Sequence, residues 1–158
     1  MTKVAWFILF LFVFACLGYF RESFFVYLNI IMFEKYYTSV SPVPAPPVMD
    51  IFKGFSYTTL YYSKYVYTLI WILLFFCANY LALKKLTATP YFFKVLFYTY
   101  VLMLSLAALS MLYGFFVNGR LQDDEYTLSR WLMGIAQSPI ICLILVASEK
   151  LYNKSFKS

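Results

Sequence analysis

The chain has 158 residues, of which 63% are hydrophobic, 23% aromatic and only 13% charged. Soluble domains are about half apolar and about a quarter charged, so this composition excludes an ordinary soluble domain and indicates an integral membrane protein. The net charge of +6 comes from basic residues at the ends of apolar runs, which is typical of membrane topology and not of nucleic-acid binding. Histidine is absent, so the sequence excludes a histidine-ligated metal and a Ser-His-Asp triad within this chain, and no cofactor is expected.

The apolar runs predict an all-α, polytopic membrane protein that forms a single integral membrane domain over residues 1–158. The predicted fold is a four-helix transmembrane bundle. The spans are expected at residues 4–20, 65–83, 95–117 and 128–147, since each run is close to the ~20 residues that cross a bilayer.

The sequence after the first span contains no helix breaker. Two structures remain open for it. Either the first helix continues to residue 33, or residues 23–33, which are too few to span, form an additional interfacial helix.

Four prolines within residues 39–47 exclude an α-helix and favour an extended connector. Such a segment belongs outside the hydrocarbon, where water can satisfy its backbone. Five tyrosines between residues 57 and 67 then form the lead-in to the second span, because tyrosine favours the membrane–water boundary.

The distribution of lysines predicts the orientation of the chain. Lysines cluster before the first span, between the second and third spans, and after the fourth: Lys3, Lys84, Lys85, Lys94, Lys150, Lys154 and Lys157. Because positive residues favour the cytoplasmic side, we expect a multi-pass membrane protein with both termini in the cytoplasm and the connector outside.

Arg21 and Glu22 form the most unusual charged pair of the sequence, at the end of the first apolar run. They either snorkel to the interface or, if the helix continues, lie deeper and need a partner. Asn29 follows Glu22 by seven residues and shares its helical face. Arg21, Glu22 and Asn29 are therefore candidate contacts for a partner protein or a lipid headgroup.

A second candidate site is an intramembrane polar cluster. Gln137, Ser138 and Pro139 lie in the middle of the fourth span, where the proline is expected to kink the helix. Gln137 and Ser138 can bond across to Asn79 of the second span, and we favour such interhelical bonding over a substrate site. Arg130, near the start of the fourth span, is either an anchor for phosphate or carboxylate groups or an ordinary interface residue.

Three acidic residues, Asp123, Asp124 and Glu125, precede the fourth span. They are expected to cap it and oppose its dipole rather than to hold a metal, because the sequence has no second acidic cluster to complete a site.

Two stretches carry a resemblance to a known family. Residues 21–29 read RESFFVYLN after the first span, and residues 126–139 read YTLSRWLMGIAQSP at the entrance to the last. This layout is similar to the exosortase-associated membrane proteins, small four-span bacterial membrane proteins. The resemblance implies an accessory role in the sorting or processing of exported proteins. It does not imply the transpeptidase itself, whose Cys/Arg/His set cannot be completed without histidine.

The leading hypothesis from the sequence is a non-enzymatic accessory or structural subunit of a bacterial inner-membrane assembly, with membrane lipids and an integral membrane protein as its partners. The alternative is a small transporter or lipid-binding protein with a polar site between the second and fourth spans. A membrane-embedded enzyme using Arg21, Glu22 and the acidic cluster ranks last, since the inventory of acid–base and metal-binding residues is thin.

Overall fold

The computed structural model describes residues 2–37, 46–87, 89–118 and 127–155. These residues are almost entirely helical, and no strand occurs among them. In chain order they form α1 (Lys3–Tyr37), a short 3-10 helix (Pro47–Gly54), α2 (Tyr57–Leu86), α3 (Tyr91–Asn118), α4 (Thr127–Ala136) and α5 (Ile140–Ser155). The predicted all-α fold is therefore confirmed.

Three of the helices are long and apolar enough to cross a membrane, namely α1, α2 and α3. The pair formed by α4 and α5 meets the same criteria when counted as one bent span, which gives up to four spans. A multi-pass membrane protein is thus supported.

Helix α1 is one continuous helix of 35 residues, so the first apolar run continues beyond residue 33. The separate interfacial helix considered for residues 23–33 does not form. At ~1.5 Å per residue, α1 is about 52 Å long, well beyond the ~30 Å of a hydrocarbon core. Packing favours the extension, because Leu28 and Ile31 lie in a buried cluster with Met49 and Leu60.

The predicted connector at residues 39–47 lies mostly outside the described residues. Pro46 has the extended conformation expected of it, with φ −64° and ψ 152°. Pro47, however, is not extended but begins the 3-10 helix, because a proline at the first helical position has no N–H to lose. Within this helix Lys53 Nζ lies 2.6 Å from Asp50 Oδ1. The hydrogen bond and the charge of Asp50 raise the pKa of Lys53 above its ordinary value.

Helix α2 begins earlier than the predicted span, so the whole tyrosine-rich lead-in is helical. Ser56 caps this end, since its Oγ accepts a hydrogen bond from the N–H of Thr59 at 3.2 Å. Helix α3 agrees with the third predicted span and is longer by a few residues at its start.

The predicted fourth span is not one helix but two. Helix α4 ends at Ala136, α5 starts at Ile140, and the two helix axes differ in direction by 63°. Pro139 supplies no N–H to the preceding turn, which explains why the predicted kink is a full break.

Contacts divide the chain into two compact units. One comprises Ala15–Trp71, and the other comprises Met1–Phe14 together with Ile72–Ser158. In the Ala15–Trp71 unit, the second part of α1, the 3-10 helix and the start of α2 enclose an apolar core with aromatic side chains around it. In the other unit, α3 packs against α4 and α5. The single membrane domain and the four-helix bundle stay predictions.

Candidate functional site

The charged pair of α1 is the first candidate site. Arg21 Nη1 lies 3.6 Å from Glu22 Oε2, and the two side chains are 29% and 70% exposed. The Arg21 guanidinium carbon lies 5.9 Å from the centre of the Phe25 ring, which is a cation–π distance. The Nε of Arg21 is buried and has no hydrogen-bond partner within the described part of the chain.

Ring contacts between α1 and α2 show which residues of α2 lie beside the Arg21–Glu22 pair. Phe24 stacks edge-on against Tyr67, with ring centres 5.0 Å apart, and its ring centre lies 6.4 Å from that of Trp71. Tyr36 of α1 meets Tyr57 of α2 at 5.3 Å, so the two helices run antiparallel here.

Arg21 and Glu22 precede Phe24 by three and two residues, or about 3–4.5 Å along α1, which places them close to the level of Trp71. Trp71 lies six residues after Tyr65, the first residue of the apolar stretch 65–83, so it is about 9 Å inside that stretch. Relative to the predicted span 65–83, the pair is therefore level with its interior and not with its start.

Glu22 belongs to an exposed stripe of α1. Glu22, Val26, Asn29 and Phe33 recur at helical spacing and are all exposed. Phe24, Leu28 and Ile31 lie on the opposite face and pack into the core of the Ala15–Trp71 unit. We call the four exposed residues the outer stripe of α1.

The second candidate site, the intramembrane polar cluster, is closed. Asn79 is 0% exposed, Tyr100 is 3% exposed and Gln137 is 5% exposed. The Asn79 amide nitrogen donates to Phe75 O at 2.9 Å and to the Tyr100 hydroxyl at 2.8 Å, and it lies 3.5 Å from Ser138 O. The Tyr100 hydroxyl in turn donates to Ala136 O at 2.9 Å.

The break between α4 and α5 is therefore tied to α2 and α3 by direct hydrogen bonds. Ser138 supports the break locally, since its hydroxyl donates to Ile135 O at 2.7 Å. Tyr100 was missed by the sequence analysis, because no local pattern pairs a tyrosine of the third span with the end of α4. Asn79 Oδ1 is buried with no hydrogen-bond partner among the described residues.

Arg130 lies apart from this cluster, in a groove at the α4–α5 bend. The groove has a volume of about 380 Å³ and is lined by Arg130, Trp131, Gly134, Ile135 and Ile140. Arg130 is exposed, and Trp131 beside it is 72% exposed.

A further buried polar contact was also missed by the sequence analysis. Glu149 of α5 is buried, and its Oε1 accepts hydrogen bonds from the Thr89 N–H at 3.2 Å and from the Thr89 hydroxyl at 3.1 Å. The carboxylate thereby joins α5 to the segment before α3. The predicted acidic cap, Asp123 to Glu125, lies outside the described residues.

Comparisons of the chain with protein-family models, with curated proteins and with solved structures found no match.

Proposed function

We propose that the chain is a non-enzymatic accessory subunit of a bacterial inner-membrane assembly. In this proposal it crosses the membrane four times, with α4 and α5 together as the last span and both termini in the cytoplasm. It binds another integral membrane protein through the outer stripe of α1 and the adjoining Arg21. The resemblance to exosortase-associated membrane proteins suggests that the assembly sorts or processes exported proteins.

The observation that carries the proposal is the incomplete pairing of Arg21 and Glu22, which lie close to the level of Trp71 and so inside the proposed second span. A charged side chain near the centre of a membrane helix costs about 2.5–3.5 kcal/mol, and such residues nearly always pair with another polar group. Arg21 and Glu22 are neighbours in sequence, and their 3.6 Å contact uses few of the five N–H groups and two oxygens available. The exposed Glu22 carboxylate faces away from the core of its own unit, where a polar group of another helix can meet it.

The rest of the outer stripe has the composition of a helix interface. Val26 and Phe33 provide apolar contact area, and Asn29, about 10 Å along the helix from Glu22, provides a second hydrogen-bonding side chain. In a lipid environment, interhelical hydrogen bonds and close packing are the forces that associate helices.

The alternative function, a small transporter or lipid-binding protein with its site between the second and fourth spans, receives less support. Its site requires access for a ligand near Asn79 and Gln137. Both side chains are buried, and Asn79 donates to Tyr100 of α3 and lies within hydrogen-bond distance of Ser138 O at the α4–α5 break, which favours interhelical bonding as the role of this cluster.

The proposal can be tested by photocrosslinking in native membranes. A photoreactive amino acid at Asn29 should give a discrete product with one membrane protein, which mass spectrometry of the purified product identifies. The same group at Phe12, an exposed α1 residue away from the outer stripe, should not give that product. No product from Asn29, or equal products from both positions, would contradict the proposal.

Charge variants supply the second arm of the test. Glu22→Gln and Arg21→Gln should each lower recovery of the partner in mild detergent by about tenfold or more, because each leaves the partner's buried polar group without its counterpart. Asp50→Asn changes an exposed acid off the stripe and should leave recovery unchanged. If the wild-type chain purifies alone, the accessory-subunit proposal fails.

A further inference from the structure

The 3-10 helix Pro47–Gly54 carries an exposed apolar ridge. Because such a helix has about three residues per turn, side chains three positions apart lie on the same side of it. Val48 and Ile51 form this ridge, and they are 79% and 74% exposed. Gly54 continues the ridge, and a Cβ built on it would meet no heavy atom within 4 Å. The described part of the chain therefore leaves the apolar ridge uncovered.

The other two sides of the 3-10 helix already have partners. Met49 is buried, and Phe52 packs against the core of the Ala15–Trp71 unit. Asp50 and Lys53 pair with each other at 2.6 Å, so their charges compensate. The helix thus has a core side, a side with a neutral charged pair and an open apolar side. This division is typical of a segment that lies in a membrane interface.

Ring contacts place the 3-10 helix at the end of the second apolar stretch. The ring centre of Phe52 lies 5.8 Å from that of Tyr67, which is two residues, or about 3 Å, inside the stretch 65–83. Met49 shares a buried cluster with Leu60, which lies five residues, or about 7.5 Å, before that stretch begins. The helix therefore occupies the level at which the apolar stretch ends, where tyrosines favour the membrane–water boundary.

We propose that the 3-10 helix is an interfacial lipid-binding segment, with Val48 and Ile51 among the acyl chains just below the headgroups. At this level acyl chains can cover two aliphatic side chains that water would leave exposed. A lipid surface is favoured over a protein partner, because Asp50 and Lys53 beside the ridge are paired with each other and do not specify a protein contact. The inference does not depend on the proposed partner protein, since it concerns a different surface.

The accessibility of a spin label in phosphatidylcholine bilayers tests this placement. The full chain carries alanine in place of its three cysteines, and a nitroxide is attached to the variant Ile51→Cys. We expect the label to collide readily with oxygen and poorly with a water-soluble nickel chelate. Its depth should be ~5–10 Å into the boundary between headgroups and acyl chains.

Two further labels bracket this depth. The label of Asp50→Cys, on the charged side, should be shallower and open to the chelate. The label of Leu73→Cys should be deeper, because Leu73 is 61% exposed and lies eight residues inside the stretch 65–83. If the Ile51 label meets the chelate as readily as the Asp50 label, the ridge lies in water and the proposal is wrong. If the Ile51 label is shielded from both reagents, protein covers the ridge and the lipid assignment is wrong.

Substitution of the ridge separates its contribution from that of an apolar label. A label attached at Gly54 should lose most of its depth when Val48→Ser and Ile51→Ser are combined, because serine gains nothing from contact with acyl chains. The matched control combines Val66→Ser and Leu69→Ser on α2, where the side chains are 57% and 54% exposed, and it should leave the depth unchanged. An unmoved Gly54 label in the ridge variant, or equal shifts in both variants, would refute the role of the ridge.

The lipid headgroup supplies the last outcome. Because Asp50 and Lys53 compensate each other, the Ile51 label should lie at the same depth in phosphatidylcholine and in phosphatidylglycerol bilayers. Insertion in phosphatidylglycerol alone would show that charge, and not the apolar ridge, binds the membrane surface, and the proposal would be wrong.

Discussion

Tyr100→Phe removes a single oxygen atom from the polar cluster and leaves the shape of the core unchanged. That oxygen donates to Ala136 O at 2.9 Å and accepts from the Asn79 amide at 2.8 Å. In the variant, Asn79 still donates to Phe75 O, but the carbonyl of Ala136, at the end of α4, loses its bond from α3. The substitution therefore isolates the hydrogen bonding that holds the break.

The expected loss follows from two ranges of measured effects. Interhelical hydrogen bonds in membranes contribute about 0.6 kcal/mol on average and about 1.7 kcal/mol at most. A buried carbonyl left without a donor costs about 1–3 kcal/mol. Because Tyr100 is only 3% exposed, water cannot readily replace its hydroxyl, and we expect Tyr100→Phe to lower the free energy of unfolding by about 1–2 kcal/mol.

The assay is reversible unfolding in mixed micelles, with Tyr98→Phe as the matched control. Tyr98 lies on the same helix but is 68% exposed, so its variant should differ from the wild type by less than about 0.5 kcal/mol. If the two variants are equally stable, the hydrogen bonds of Tyr100 do not hold the break and the reasoning is wrong.

Two further predictions concern the side chains of Glu149 and Lys53. Glu149→Ala should lower the free energy of unfolding by about 2 kcal/mol, because the Thr89 N–H and hydroxyl lose their acceptor, and Glu149→Gln should lower it less. Thermal unfolding in detergent measures both, with the exposed neighbour variant Lys150→Ala as the control, and equal effects of Glu149→Ala and Lys150→Ala would contradict the assignment. The pairing with Asp50 raises the pKa of Lys53 above 10.5. The contribution of the Lys53–Asp50 pair to the free energy of unfolding is therefore fully present below pH 10.5 and is lost as the pH rises through the raised pKa. Asp50→Asn should return the pKa of Lys53 toward 10.5 in an NMR titration, and no change would show that the pair does not persist in solution.

The apolar spans could be predicted from the sequence because they depend on local properties. The predicted spans 65–83 and 95–117 lie within α2 and α3, since a run of about 20 apolar residues can satisfy its backbone in lipid only as a helix. A kink at Pro139 was also predictable, because a missing N–H acts on its own turn, but the full break was not predicted. The 63° angle between α4 and α5 could not be predicted from the sequence, since it depends on what the two helices pack against.

The candidate sites depended on contacts that no local pattern encodes. The sequence singled out Arg21, Glu22 and Arg130 as unusual, but only the packing of α1 against α2 placed the first two at the depth of Trp71. Asn79 meets Tyr100 across 21 residues, and Thr89 meets Glu149 across 60. Hydropathy determined which segments are helices in a membrane, because burial in lipid acts on each segment separately. The tertiary structure decided which polar groups are paired and which face outward, because pairing depends on helix register and not on composition.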